Sequence, residues 1–380
     1  MSAAPWLLFG PHDSRRVRGL QQALRERGLP AAEVVDYQSL LSAPERAAEA
    51  IAGRRGAMVK LESPGEAPAL HAALIERGWH RLGASGPAPQ PLEHGELAYQ
   101  QYWYAGFADL LRSLPAEAAY LNPPDDIACM SDKLACQQRL IAAGIEVPPL
   151  LGPVDGYEAL RERLRDCACD QVFVKARYGS SGAGVLAYRR NRAGREIAFG
   201  SAELVESDGR ARVFNSLRPR RYTATGEIAR LVDTLAAQGA YLERWIPKPR
   251  APDALGGHYD LRVVALDGQA RQRVARVSRR PLTNLHLGNR RGALEAWLDT
   301  DSMQALEAAT KRAASVFPRS RMIGFDLILR DRRSWLLEAN AFGDLLPHLL
   351  WQGRDTYQDQ AALAPSPQTR SGPQRMPLHA

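Results

Sequence analysis

The chain has 380 residues, of which 45% are hydrophobic and 24% charged, with a formal net charge of +8. That length predicts two or three domains around a real buried core, and the composition excludes a disordered polymer. The positive balance, carried mostly by arginine, suits anionic partners such as nucleotides, acidic peptides or nucleic acid.

No apolar run reaches the ~18 residues that a membrane helix needs, and the N-terminus lacks a basic segment followed by a long apolar one, so a soluble, cytoplasmic protein is expected. Residues 6–10 (WLLFG) read as a short buried strand, followed by a helix over 14–27 with Val17, Leu20 and Leu24 as its apolar stripe and Gly28 as its stop. A second strand over 57–63 leads through Ser63, Pro64 and Gly65 into a helix over 67–78. Alternating strand and helix predicts a parallel sheet covered by helices, so residues 1–120 form a small Rossmann-like α/β domain. Ligands of such sheets sit at the carboxyl ends of strands, which makes His12, Asp13, Lys60, Glu62 and Ser63 weak candidates for substrate contact beside their capping and turn roles. The Gly-, Pro- and Ala-rich stretch 82–96 is a loop.

After Asn122 to Asp125, which is turn chemistry, Ser131 caps a helix carrying Leu134, Leu140 and Ile141 and stopped by Gly144. Lys133 in its first turn opposes the helix dipole; a bound phosphate there would give the position a reason. Of the four cysteines, Cys129 and Cys136 flank that helix start, and Cys167 and Cys169 are too close for a CxxC zinc pair, so all four read as reduced structural thiols.

The stretch 172–185, VFVKARYGSSGAGV, is strand, glycine loop, strand. Gly179, Gly182 and Gly184 let backbone N–H groups approach phosphate oxygens, and Lys175 supplies a charge at the strand end. It matches neither GxxxxGK[ST] nor GxGxxG; a plain hairpin is the competing reading. Charged strands and turns, including Arg218, Arg220 and Arg221, lead to a helix over 227–237, then to the apolar strand YLERWIP at 241–247 with Glu243 inside it. Asp260 and Arg262 share one face of a strand that returns through an Asp267-Gly268 turn to Arg276 and Val277. A loop with Asn284, His286, Gly288 and Gly292 and a helix over 301–317 follow. Strand MIGFDLIL then returns through a turn at Asp331 to Arg333, and the paired strands carry Asp326, Glu338 and Asn340. By donor type these three form a hard-cation site; buried carboxylates pairing with arginines is the alternative. Residues 361–380 read as a disordered tail.

Taken in order, NPP, DK, VPP, VFVKARYGSSGAGV, YLERWIP, DLRV, NLH, GFD and EAN resemble the ATP-grasp superfamily, most closely its glutathione synthetase and ribosomal-protein glutamate ligase branch, over residues 122–344. The resemblance implies an ATP-grasp fold, α+β in its nucleotide-binding part: a central and lid subdomain over 121–240 and a C-terminal subdomain with the metal site over 241–360. It implies that Lys133 and Lys175 touch the α- and β-phosphates and that Gly179, Ser180, Ser181, Gly182 and Gly184 close over the triphosphate. Glu243, Arg244, Trp245 and Ile246 would be the hinge that reads adenine. Asp326, Glu338 and Asn340 would hold Mg²⁺, with Mn²⁺ as an alternative ion, and Arg262 and Arg276 would be catalytic.

The implied activity is an ADP-forming carboxylate–amine ligase working through an acyl phosphate, on a small molecule or peptide bearing a carboxylate and an amine acceptor. The rivals are a kinase on the same scaffold and an ATP-binding module without turnover. Few aromatic residues pair with basic ones, which argues against single-stranded nucleic acid. Two departures stand out: where relatives offer the ribose a carboxylate, this chain has Lys248, and where they continue into an NPG-like loop, it reads AFGDLLP with Asp344. The first 120 residues match only in architecture, so the substrate is not carried over.

Overall fold

A computed structural model describes residues 5–65, 67–179, 182–207 and 210–363. Three sheets organise it. In the first, β1 (Trp6–Phe9), β2 (Glu33–Val35), β3 (Met58–Leu61) and β4 (Ala119–Tyr120) run parallel in the order β2-β1-β3-β4. Every residue of β1 and β3 is buried, as expected of strands covered on both faces. Ser14 caps the helix Arg15–Glu26, whose Val17, Leu20 and Leu24 are buried, as its stripe predicts. The strand pattern missed β2 and β4, which are only three and two residues long.

The helix expected over 67–78 runs three residues past its expected end at Gly78. Gly78 lies inside the helix Pro68–Arg81, facing Gly106 of the helix Gln100–Ser113. A side chain at either glycine would collide with the backbone of the other helix, so the pair permits a backbone-to-backbone approach.

The second sheet is antiparallel: β5 (Leu150–Pro153), β6 (Gln171–Ala176), β7 (Val185–Arg190), β8 (Glu196–Ser207), β9 (Arg210–Tyr222) and β10 (Ala240–Arg244), in the order β5-β10-β6-β7-β8-β9. Leu160 and Leu164 from the helix Tyr157–Asp166, and Ile228, Leu231 and Leu235 from the helix Thr225–Ala236, pack on Val172, Val174 and Leu186 of this sheet. Of the stretch expected as strands and turns, β8 and β9 pair antiparallel along most of their length. The loop 82–96 ends against its outer strand, where Leu97 N–H donates to Val213 O at 2.7 Å.

The third sheet is also antiparallel: β11 (His258–Leu266), β12 (Gln269–Ser278), β13 (Arg290–Gly292), β14 (Met322–Arg330) and β15 (Arg333–Asn340), in the order β13-β12-β11-β14-β15. The Asp267-Gly268 turn forms as read, with φ of 48° and 74° at its two residues. Asp331 and Arg332 make the second hairpin turn, again with both φ positive.

Three local expectations change. Ser131 closes the helix Pro124–Ser131 by bonding Ile127 O, and Asp132 caps the helix Lys133–Ala142 by accepting from Ala135 N–H at 3.1 Å. Asp132 is the better cap because its carboxylate also accepts the Arg177 fork, at 2.7 Å on both oxygens. Cys167 and Cys169 are paired as a disulfide rather than reduced; Ala168 between them has φ of 46°, which turns the two side chains together. The helix Thr356–Ala361 reaches into the stretch read as tail, and the rest of that reading lies outside the described residues. No helix among the described residues is long and apolar enough to cross a membrane.

Candidate active site

Charged side chains cluster on the second and third sheets, mostly on their inner strands, and Lys133 links the two. On β6, Lys175 sits opposite Tyr241 of β10, which places Glu243, two residues further along, on the same face and diagonal to the lysine. The two side chains form an ion pair. Glu243 is 1% exposed, and its second oxygen, Oε2, has no partner among the described residues. Burial raises its carboxyl, against the opposing charge of Lys175.

Lys133 joins three elements. Its backbone N–H donates to Arg177 O at 3.1 Å, its Nζ donates to Gly179 O, and Nζ lies 3.7 Å from Glu338 Oε1 on β15. Burial lowers the lysine's pKa, and the nearby Glu338 charge opposes that. The hairpin above it turns through Gly179, Gly182 and Gly184, with φ of 106°, 68° and 68°. A Cβ on Gly184 would lie 2.9 Å from that of Ala176, and one on Gly182 would lie 3.1 Å from Asn284 Nδ2, so the turn needs glycine and rests over the 281–292 loop. Ser180 and Ser181 lie outside the described residues.

At the exit of β10, Arg244 N–H donates to Pro149 O at 2.9 Å and Trp245 N–H points to Gln171 O at 3.5 Å. Ile246 N–H has no acceptor among the described residues. Phe173 and Trp245 form an aromatic wall, their ring centroids 5.2 Å apart.

On the third sheet, Arg262, Asp326 and Glu338 are register partners across β11, β14 and β15, and Asp260 pairs with Arg276 across β11 and β12. Arg262 grips Asp326 through Nε on Oδ1 and Nη2 on Oδ2, the latter at 2.9 Å, and Arg276 Nη1 reaches Oδ2 at 2.9 Å. Burial alone would raise the Asp326 carboxyl; the charges of Arg262 and then Arg276 override it and hold it below the usual range. Asp326 is therefore an ion-pair hub here. Glu338 is a quarter exposed, and Asn340 uses only its Nδ2, on Gly324 O at 3.3 Å. The oxygens available to a cation are those of Glu338 and Asn340.

Of two residues that sequence reasoning left at the margin, Lys248 is a structural partner of this centre and Asp344 belongs to a separate buried cluster. Lys248 is held by Asp260, Thr283 and the carbonyl of Pro281. Asp344 is fully buried against Lys60 and Arg16, at the carboxyl end of β3. The signal for both was a polar residue in an otherwise apolar or turn context. Of the N-terminal candidates, Lys60 and Glu62 belong to this buried cluster. His12, Asp13 and Ser63 take no part in it; Asp13 O accepts from Arg18, and Ser63 Oγ from Gly65 N–H.

No protein-family model matches the chain, and neither does any curated protein sequence. Solved structures do. The ligase PsnB, solved with a phosphomimetic variant of its minimal precursor, Mg and ADP, covers 95% of this chain over 98% of its own at 18% identity, TM-score 0.52. N5-carboxyaminoimidazole ribonucleotide synthetase, solved with ADP, covers 94% over 80% of its own at 11% identity, TM-score 0.54. The chain has the ATP-grasp fold. Biotin carboxylase from Campylobacter jejuni shares it, covering 96% of this chain over 72% of its own at 13% identity, TM-score 0.50. The glycine hairpin of this ATP-grasp chain and its charged third sheet thus lie within a match that runs over nearly its whole length.

Proposed function

We propose that the chain is an ATP- and Mg²⁺-dependent carboxylate–amine ligase that forms ADP and works through an acyl phosphate. The observation that carries this is the convergence of Lys133, Lys175, Arg262 and Arg276 with Glu338 beneath a hairpin whose Gly182 and Gly184 leave little room for a side chain. An anion carrying several charges is what such a wall of cations is built to hold. The orphaned Glu243 Oε2 and the unbonded Ile246 N–H, beside the Phe173–Trp245 wall, fit the base of a nucleotide, which offers donors, acceptors and a flat face. The three oxygen-bearing side chains fit Mg²⁺ only in part: Glu338 and Asn340 offer oxygens, and Asp326 becomes a ligand if Arg262 turns its fork away.

In this reading Lys133 and Lys175 hold the α- and β-phosphates, residues 179–184 cover the triphosphate, and residues 243–246 contact adenine. ATP supplies the phosphoryl group, and Mg²⁺ neutralises charge on it. The substrate carboxylate oxygen bonds to the γ-phosphorus as the bond to ADP breaks, and an amine nitrogen then bonds to the acyl carbon, releasing phosphate and a proton. Arg262 and Arg276 stabilise the charge that builds up in both steps. PsnB was solved with a minimal precursor, which supports precursor-like molecules among the carboxylate substrates to be tried here.

Incubation with ATP, Mg²⁺, candidate acids and hydroxylamine tests the proposal. A hydroxamate appearing together with ADP is the expected result; AMP as the product would overturn it.

A further inference from the structure

Lys248 stands where relatives offer the ribose a carboxylate, and its ammonium is turned inward. Its side chain is 10% exposed, and Nζ reaches Thr283 Oγ1 at 2.8 Å, Pro281 O at 3.0 Å and Asp260 Oδ2 at 3.1 Å. An ammonium has three donors, so these contacts use all of them. Burial lowers its pKa, with the Asp260 charge opposing. Asp260 in turn accepts from Thr283 Oγ1 at 2.6 Å on Oδ2 and from Arg276 Nε at 2.8 Å on Oδ1.

Arg276 is thus fixed at two nitrogens, Nε on Asp260 and Nη1 on Asp326, while Nη2 has no partner among the described residues. A guanidinium is planar, so two fixed nitrogens determine where the third points. The two carboxylates, Asp260 and Asp326, already balance Arg262 and Arg276; Lys248 adds a surplus cation to a buried lattice. Charge neutralisation does not require it, and burying a further charge is unfavourable. Its bonds to Thr283 and Pro281 also tie the exit of β10 to the loop whose Asn284 lies under Gly182.

We propose that Lys248 is a positioning residue: with Thr283 it fixes Asp260, and through Asp260 it aims the unpaired Nη2 of Arg276 at the reacting groups. Its kinetic consequence rests on the ligase reading; its geometric consequence does not. Lys248→Met is expected to lower kcat for ADP formation about tenfold or more, with the KM for ATP within about twofold, because the interaction acts only once the reacting groups are in place. Lys248→Arg, which keeps the cation, should recover most of the rate. Thr283→Val removes the same support from the other side and serves if Lys248→Met does not fold.

A second readout needs no turnover. Hydrogen exchange at Arg276 Nε–H, its resonance identified by its loss in Arg276→Lys, should be slow in the parent and about tenfold faster in Lys248→Met, or in Thr283→Val if that variant is used. Unchanged Nε–H exchange in the folded variant, or an unchanged kcat, overturns the role of Lys248. If the parent forms no ADP with any acid, the ligase reading fails, and the exchange measurement alone then upholds or overturns the positioning role.

Discussion

Lys60 and Asp344, 284 residues apart in the chain, meet at 2.9 Å in the interior, Nζ on Oδ2. Arg16 Nε reaches the other Asp344 oxygen at 3.0 Å and its Nη2 reaches Phe342 O at 2.6 Å, so the end of β3 and the first N-terminal helix are tied to the segment that follows β15. Glu62 Oε1 lies 2.8 Å from the same lysine, and its Oε2 has no partner among the described residues. Lys60→Met leaves the Asp344 carboxylate dependent on Arg16 and Gln360, and is expected to cost about 3 to 5 kcal/mol of stability, read from denaturant midpoints. A variant within about 1 kcal/mol of the parent would show that this junction does not hold the fold together.

The same cluster makes opposite contributions at the two ends of the acid range. Burial would raise the Asp344 carboxyl, but Lys60 and Arg16 bring it down to about 2. Its folded value lies below that of an exposed aspartate, about 3.9, so its stabilisation is present above that pH and is lost as the pH falls towards 2. Glu62 is raised by burial, with Asp344 adding to the effect, so its contribution is greatest below the exposed value of about 4.3 and declines as the pH rises through its folded value. Asp344→Asn should therefore flatten the acid limb of the stability curve. Glu62→Gln should gain on the parent as the pH is raised from 4 to 8. Melting curves from about pH 2 to 8 check both, and parallel pH profiles for parent and variants would contradict the assignment.

The parts legible in the sequence are those in which neighbouring residues decide the structure. The Asp267-Gly268 turn and the positions of Gly179, Gly182 and Gly184 each need a particular residue at a particular backbone angle, and they formed where expected. The role of Gly78 was not legible, because a glycine that admits a neighbouring helix shows itself only when Gly106 is placed beside it. The Lys60–Asp344 and Lys248–Asp260 pairs were out of reach for another reason: each joins segments brought together only by the packing of separate elements. The sequence named Arg262 and Asp326 without showing that one grips the other.

Lys175→Ala is expected to reduce ATP affinity by roughly 1.5 to 3 kcal/mol, a factor of about ten to a hundred, because it removes the charge beside the glycine hairpin. It also leaves the buried Glu243 without its partner, so a lower melting temperature should accompany the loss. Lys175→Ala in a Glu243→Gln background, compared with Glu243→Gln alone because Glu243 also faces the proposed adenine site, separates the effects: stability should return towards the parent while binding falls below that of Glu243→Gln. Calorimetry showing the affinity of Glu243→Gln alone in the double variant would mean that Lys175 serves Glu243 and not the nucleotide.

Backbone amides from Gly182 to Val185 should exchange quickly in the free protein and gain protection with ATP and Mg²⁺, since covering segments come from the less stable parts of a fold. Gly184→Ala should blunt that response, because its φ of 68° is unfavourable for alanine and the added methyl would lie 2.9 Å from Ala176 Cβ. Identical exchange with and without nucleotide would count against closure.

Glu338→Gln and Asp326→Asn, each exchanging a carboxylate for an amide of the same shape, should fail in different ways. Glu338 is a quarter exposed and lies 3.7 Å from Lys133, so losing its charge should leave the melting temperature close to the parent's. If it is the charged ligand of the metal, turnover should fall about a hundredfold or more, a few kcal/mol of barrier, with ATP binding retained by the lysines. Asp326 is buried between two guanidinium groups, and its amide would leave both without their shared counter-charge. That variant should be destabilised by several kcal/mol, and it should also lose activity through Arg262 and Arg276. Melting temperature and ADP release measured on the same preparations distinguish the sites. A Glu338→Gln protein that is unstable but fully active would give Glu338 the structural role and remove the only charged oxygen ligand that the arginines leave to a metal.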